Sequence, residues 1–253
     1  MDLGIQGKKA IILGGSRGIG RYTAELMRRE GASVAICARG AEGVAEAGEA
    51  LQAMGGGTVF AQAANLEDGE ETRAFVRAAI DALGGVDMLI HNASAFDMTG
   101  DEAGWARSFQ VDMMAGVRAV EEAIPALEES DAASITFIGS MASKQYFGRR
   151  SSYGPAKAAM RAYANELAQS LGKKRIRANA ISPGAVHFPG GSWDTRKKEM
   201  PDFYASVEKS IPLGRLGTGE ELARIIAFVA SPAGMWINSA HIVADGGQVA
   251  SVD

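Results

Sequence analysis

The sequence has one cysteine, three histidines and no long apolar run, and its 26 basic and 30 acidic residues nearly cancel. A lone Cys37 forms no internal disulfide. Its setting in the apolar stretch Val34 to Ala38 reads as a buried, unreactive thiol in a reducing compartment. His91, His187 and His241 are scattered without ligand spacing, so no metal site is expected. A formal net charge of -4, with no block of one sign beyond a few residues, argues against a nucleic-acid partner. After Lys8 and Lys9 the apolar run Ala10 to Leu13 stops at Gly14, too short for a signal-peptide core. No later run approaches the roughly 18 residues of a membrane span, so a cytoplasmic protein with no membrane partner is expected.

What is present is a chain with 47% hydrophobic residues, enough for a single domain over 1–253 with one large core. Short aliphatic runs alternate with helical patterns. The strands are predicted at Ala10 to Leu13, Ser33 to Ala38, Thr58 to Ala63, Asp87 to His91, Ser134 to Gly139, Arg177 to Ser182 and His241 to Ala244. The helices are predicted at Gly18 to Glu30, Glu42 to Met54, Gly69 to Leu83, Glu102 to Leu127, Ser152 to Leu171 and Gly219 to Ser231. This alternation predicts an α/β fold, a doubly wound sheet of about seven parallel strands with helices on both faces. Such sheets bind ligands at the carboxyl ends of their strands. The stretch 187–212 shows no clear pattern but holds Gly190-Gly191, Trp193, Phe203 and Tyr204. It reads as a lid over a substrate, a surface helix being the other reading.

Directly after the first strand comes Gly14-Gly15-Ser16-Arg17-Gly18-Ile19-Gly20, followed at once by a helix. Glycines there permit a tight turn and bring backbone N–H groups to a pyrophosphate at the positive end of the helix, although the spacing differs from G-x-G-x-x-G. The second strand ends Cys37-Ala38-Arg39, without the acid that would hold a ribose 2′-hydroxyl. Arg17 and Arg39 place two planar cations where a 2′-phosphate would lie, which favours NADP(H) over NAD. Two solvated surface arginines are the other reading.

Tyr153 and Lys157 lie four residues apart at the start of a helix and share a face. A tyrosine hydroxyl ordinarily ionises near pH ~10, and an adjacent ammonium favours its phenolate, so the pair is a candidate general acid or base for a carbonyl and alcohol couple. Ser140, just past the fifth strand, offers a hydroxyl at the same sheet edge.

Taken with these residues, the order Gly14-x-x-x-Gly18-x-Gly20, Asn92-Ala93, Ser140, Tyr153-x-x-x-Lys157, Pro183-Gly184, Pro212-Leu213-Gly214-Arg215-Leu216-Gly217 and Asp245-Gly246-Gly247 resembles the short-chain dehydrogenase/reductase family. The resemblance covers essentially the whole chain and extends to 3-oxoacyl-acyl-carrier-protein reductase-like members. It implies a Rossmann-like fold and direct hydride transfer between NADP(H) and the substrate carbon. It implies that Tyr153 donates or accepts the proton, that Lys157 binds the nicotinamide ribose and stabilises the tyrosinate, and that Ser140 holds the substrate oxygen. Cofactor contacts are implied at Gly14, Ser16, Arg17, Gly18, Ile19, Gly20 and Arg39, at Asn65 and Leu66, at Asn92, Ala93 and Ser94, and at Pro183, Gly184 and Val186, besides Tyr153 and Lys157.

The departures from that family's pattern are Leu13, Asn65, His91 and Ser94, Phe188, and Asp112. The first four are expected to leave the proton chemistry alone. Asp112 stands where the family has an asparagine of the catalytic set, thought to hold a water by its main-chain carbonyl. Its charge would favour a protonated Lys157 if the two are near.

The substrate neighbourhood is predicted to include Phe96, Met141, Gln145, Tyr146, Phe147, Phe188, Trp193 and Phe203, an apolar and aromatic set. An apolar ketone is implied, a 3-oxoacyl thioester first. The alternatives are a cyclic, aromatic or steroidal alcohol, or a non-catalytic NADP(H)-binding sensor or scaffold. Arg149-Arg150 or Arg196-Lys197-Lys198 would serve a carrier-bound acyl group. The resemblance also implies a homotetramer, with Ala115, Gly116, Ala159 and Ala162 allowing close approach of helices between subunits.

Overall fold

The structure is a computed structural model that describes residues 2–146, 148 and 150–250. Phe147 and Arg149, named above for the substrate pocket and a basic patch, lie outside the described residues. Strands β1 (Lys9–Leu13), β2 (Ser33–Ala38), β3 (Val59–Ala63), β4 (Met88–His91), β5 (Ser134–Ile138), β6 (Arg177–Pro183) and β9 (His241–Ala244) form a parallel sheet in the order β3-β2-β1-β4-β5-β6-β9. The order reverses between β1 and β4, where a doubly wound sheet opens a crevice.

The central strands β4, β5 and β6 are buried along their whole length, although β5 and β6 carry buried polar side chains at Ser134, Thr136, Arg177, Asn179 and Ser182. Residues 11, 13, 35 and 37 face a core filled by α3 (Gly69–Leu83), α5 (Ala115–Glu128) and α6 (Tyr153–Leu171). Residues 10, 12, 34 and 36 face a second core, under α1 (Gly18–Arg29), α2 (Ala41–Ala53) and α9 (Gly219–Ala230). The starts of α3 and α9 are capped by side chains. Asp68 accepts from the N–H groups of Glu70 and Glu71, and Thr218 and Glu221 cap α9 reciprocally.

The predicted helix Glu102 to Leu127 is three pieces: α4 (Glu102–Ser108), a π-turn at Phe109–Met114 and α5. The stretch 187–212 is ordered, with α7 (Ser192–Glu199) and α8 (Pro201–Ser210) anchored by the short pair β7 (Val186–His187) and β8 (Gly217–Thr218). It has a small core of its own, where Tyr204 packs with Ala185, Ile211 and Leu216. Ala115 and Gly116, predicted at a subunit surface, instead point inward. A side chain at Gly116 would run into Phe137 and His91. No helix among the described residues is long and apolar enough to cross a membrane.

Arg177 ties the last strands to α9. Its guanidinium is buried and donates to the carbonyls of Val229, Ile237, Ala230 and Ser231 at 2.9 to 3.1 Å, meeting acceptors that the helix end leaves open. Arg177→Met leaves those carbonyls unpaired and is expected to cost about 2–4 kcal/mol, lowering Tm by roughly 5–10 °C in a thermal melt.

Candidate active site

The chain leaving β1, β2, β4, β5 and β6 builds one cleft along the sheet edge. Past β5 stands Ser140, whose Oγ accepts from the Ala142 N–H at 3.1 Å and so caps a short 3-10 turn at Met141–Ser143. Tyr153 opens α6, and Lys157 follows one turn later with Nζ 5.9 Å from the centre of the tyrosine ring. Phe96 closes the other side of that ring, edge-on at 5.2 Å.

Lys157 is held from behind. Its Nζ donates to the Ile138 carbonyl at 2.9 Å and lies 3.0 Å from Asp112 Oδ1. The second contact is one of charge rather than an aligned hydrogen bond. Asp112 is wholly buried and Lys157 nearly so. The π-turn delivers the carboxylate inward, as such widened turns often do at functional sites. Asp112 Oδ2 accepts from the Ala95 N–H at 3.1 Å, and its main-chain oxygen lies 2.9 Å from His91 Nε2. Burial, then the charge of Lys157, pushes the His91 pKa down to about 4, so the ring is neutral at pH 7.

The glycine turn meets this centre from the β1 side. Asn92 Nδ2 donates to the Gly14 carbonyl at 2.8 Å, locking the turn to the loop after β4. Gly20 is needed where α1 crosses under that bond, since a Cβ would strike the Gly14 carbonyl and Asn92. Gly18 has a φ of +58°, and its absent Cβ leaves room for the Phe188 ring, whose nearest atom would be 2.7 Å away. Helix α1 starts without a side-chain cap at Arg17, so its first N–H groups remain for an anion. The Arg17 and Arg39 side chains make no hydrogen bond or ion pair among the described residues, and both line the far end of the cleft with Asn65 and Leu66. These features fit a dinucleotide carrying a 2′-phosphate.

A match to the family described as enoyl-(acyl carrier protein) reductase spans residues 14–248. The chain belongs to the short-chain dehydrogenase/reductase family. Isoepoxydon dehydrogenase of Aspergillus clavatus is 34% identical over 250 residues, covering 96% of this chain and 95% of that protein. A 3-oxoacyl-[acyl-carrier-protein] reductase of rhamnolipid biosynthesis in Pseudomonas aeruginosa is 32% identical, covering 96% of each. L-sorbose reductase from Gluconobacter frateurii, solved with NADPH and L-sorbose, superposes with a TM-score of 0.91 at 28% identity and covers 100% of both chains.

In this dehydrogenase/reductase one cavity of about 370 Å³ brings together most of the predicted residues. Gly14, Ser16, Arg17, Gly18 and Ile19 line it from the turn, and Asn92, Ala93 and Ser94 from the loop after β4. Ser140, Tyr153 and Lys157 line its centre, Pro183, Gly184 and Val186 its β6 side, and Phe96, Phe188 and Trp193 its mouth. Gly20, Arg39, Asn65, Leu66 and Asp112 are not among its lining residues, nor are four of the predicted substrate residues. Met141 is buried in the fold behind Ser140. Gln145 and Tyr146 line a second cavity with Met98 and Trp105, which meets the first at Tyr153. Phe203 is exposed and stacks on the outer side of Trp193 at 6.0 Å. His91 is the reverse case, expected to be remote from the proton chemistry but bonded to Asp112. Its place next to Asn92-Ala93 was the available signal. Ile138, whose carbonyl receives Lys157, is missed because a backbone acceptor leaves no mark in sequence.

Asp112→Asn removes the carboxylate that faces Lys157 at 3.0 Å, and the pH–rate profile is expected to shift while activity persists. A profile identical to wild type contradicts that electrostatic role. Gly18→Ala is expected to weaken NADPH binding about tenfold in a fluorescence titration, because the new Cβ meets Phe188 in a backbone region unfavourable to L-residues.

Proposed function

We propose that the enzyme interconverts an apolar ketone and its secondary alcohol with NADP(H), using Ser140, Tyr153 and Lys157. The observation that carries this reading is that all three side chains line one cavity with the glycine turn, while two unpaired guanidinium groups stand at the cleft's far end. Bound NADP(H) supplies or takes up the hydride at the substrate carbon. In the reducing direction Ser140 Oγ donates a hydrogen bond that holds the substrate oxygen, and the Tyr153 hydroxyl gives that oxygen its proton. The ammonium of Lys157 then stabilises the tyrosinate left behind. Oxidation runs the same steps backwards. Gly14, Ser16, Gly18, Ile19 and Gly20 shape the pyrophosphate seat, and Asn92, Ala93, Ser94, Pro183, Gly184 and Val186 flank the nicotinamide end. Arg17, Arg39, Asn65 and Leu66 hold the adenosine end.

Phe96, Phe188 and Trp193 give the mouth an aromatic wall, with the stretch 187–212 acting as the lid. That wall suits a 3-oxoacyl thioester or a cyclic ketone. A carrier-bound substrate draws little support from the lid's cations. Arg196 lies over Trp193, Lys197 over Tyr204, and Lys198 pairs with Asp194 at 2.9 Å. We place the enzyme in the cytoplasm, where the buried Cys37, its thiol pushed up to about 12 by burial, stays reduced. A homotetramer fits the apolar surface at Met235 and Trp236 before the edge strand β9, and the exposed stack of Trp105 on Phe109.

Tyr153→Phe is expected to lower turnover of a ketone screened with NADPH by about 10²–10⁴-fold. Turnover near wild type in this variant would remove Tyr153 from the reaction. Arg39→Ala is expected to weaken NADPH about 10–100-fold and NADH little, because only the 2′-phosphate offers a charge-assisted hydrogen bond there. Equal loss for both cofactors would overturn the 2′-phosphate assignment.

A further inference from the structure

His91 ends β4 inside the molecule, 1% exposed, its ring edge-on to Phe137 at 6.0 Å and lying against Gly116. The ring is neutral and therefore carries one N–H. Its neighbour at Nε2 is the Asp112 carbonyl, which only accepts, so the proton sits on Nε2 and Nδ1 is bare. Nδ1 indeed faces no partner in its buried setting. The tautomer is thus fixed by main-chain acceptors of the π-turn, with the Val111 backbone also in hydrogen-bond reach of the ring, and the bond at Nε2 holds the residue whose carboxylate faces Lys157.

From this geometry we propose that His91 is a positioning residue for the proton chemistry: by holding the Asp112 carbonyl, its Nε2–H keeps the Asp112 carboxylate against Lys157. The proposal rests on the reading of Lys157 and Tyr153 given above. Asp112 sits in a π-turn, where the backbone bonds span five residues instead of four. Rotation at that residue would separate Oδ1 from Lys157 and Oδ2 from the Ala95 N–H together. One imidazole bond therefore restrains two carboxylate contacts. The ionisable groups around the cluster among the described residues are Asp112 on the π-turn and Lys157 and Tyr153 on α6. β5 presents Phe137 and the Ile138 carbonyl, and α5 presents Gly116. Lys157 is thereby held by one carbonyl acceptor and one facing carboxylate.

The test compares His91→Leu, which keeps the apolar bulk and removes the donor, with His91→Gln, whose terminal amide nitrogen reaches about as far as Nε2. Turnover with NADPH, the pH–rate profile and Tm are measured for each, alone and with Asp112→Asn. The expected result is a fall in kcat of about tenfold or more in His91→Leu, with the pH–rate profile displaced as in Asp112→Asn. His91→Gln recovers most of both, and the effect of His91→Leu shrinks in the Asp112→Asn background. If His91→Leu does not fold, His91→Asn serves as the short-reach variant against His91→Gln. A displaced profile in Asn but not in Gln supports the proposal. A wild-type profile in the donor-lacking variant, an equal change in His91→Gln, or strict additivity with Asp112→Asn makes His91 a packing residue and overturns the proposal. Tyr153→Phe run in parallel separates the two questions, because an active Tyr153→Phe enzyme defeats the catalytic reading itself.

Discussion

Lys157 and Asp112 face each other at 3.0 Å with almost no exposure to water, and either charge alone in that position would cost several kcal/mol. Much of the architecture can be read as what this pair requires. The lysine comes from the first turns of α6, the carboxylate from a π-turn between α4 and α5, and the supporting carbonyl from the end of β5. These segments meet only if β4, β5 and β6 stand side by side with α5 and α6 packed on the same face. A slip of α6 by one residue would turn Lys157 away from both acceptors and bury an unpaired ammonium. The register of the catalytic helix is therefore guarded by electrostatics as well as by packing.

The sheet was readable because burial imposes its own vocabulary. β1, β2 and β4 are short, mainly apolar runs, as strands covered on both faces can be. The glycine turn was readable because backbone geometry at Gly18 and Gly20 excludes other residues. What escaped the sequence depended on distance in space. The π-turn has no composition of its own, since Phe109 to Met114 continues a plausible helical pattern. α7 and α8 were hidden because their mixture of charges and aromatics serves a small local core rather than the sheet. Ala115 and Gly116 look like a contact surface by composition, yet they face Phe137 and His91. Helical phase relative to the sheet, which decides this, is set by tertiary packing.

The departures at His91 and Asp112 also acquire a common meaning. Viewed one at a time, each is an isolated substitution in a family motif. In space they form a single assembly in which an imidazole grips a main-chain oxygen and a carboxylate grips an ammonium. A main-chain oxygen already taken by His91 is less open to other donors. Asn92, between the two machineries, binds the glycine turn to the same loop.

The segment carrying Trp193 and Tyr204 packs around Ala185, Ile211 and Leu216, and this cluster shares no residue with either core of the sheet. Stability in such a chain is partitioned, and the small cluster can open while the strands stay shut. Replacements among its aromatic residues then act on a local equilibrium and leave the global one nearly untouched. The mouth of the cleft is in this sense the evolvable part of the molecule, free to change the shapes it admits while the buried charges behind Tyr153 remain fixed.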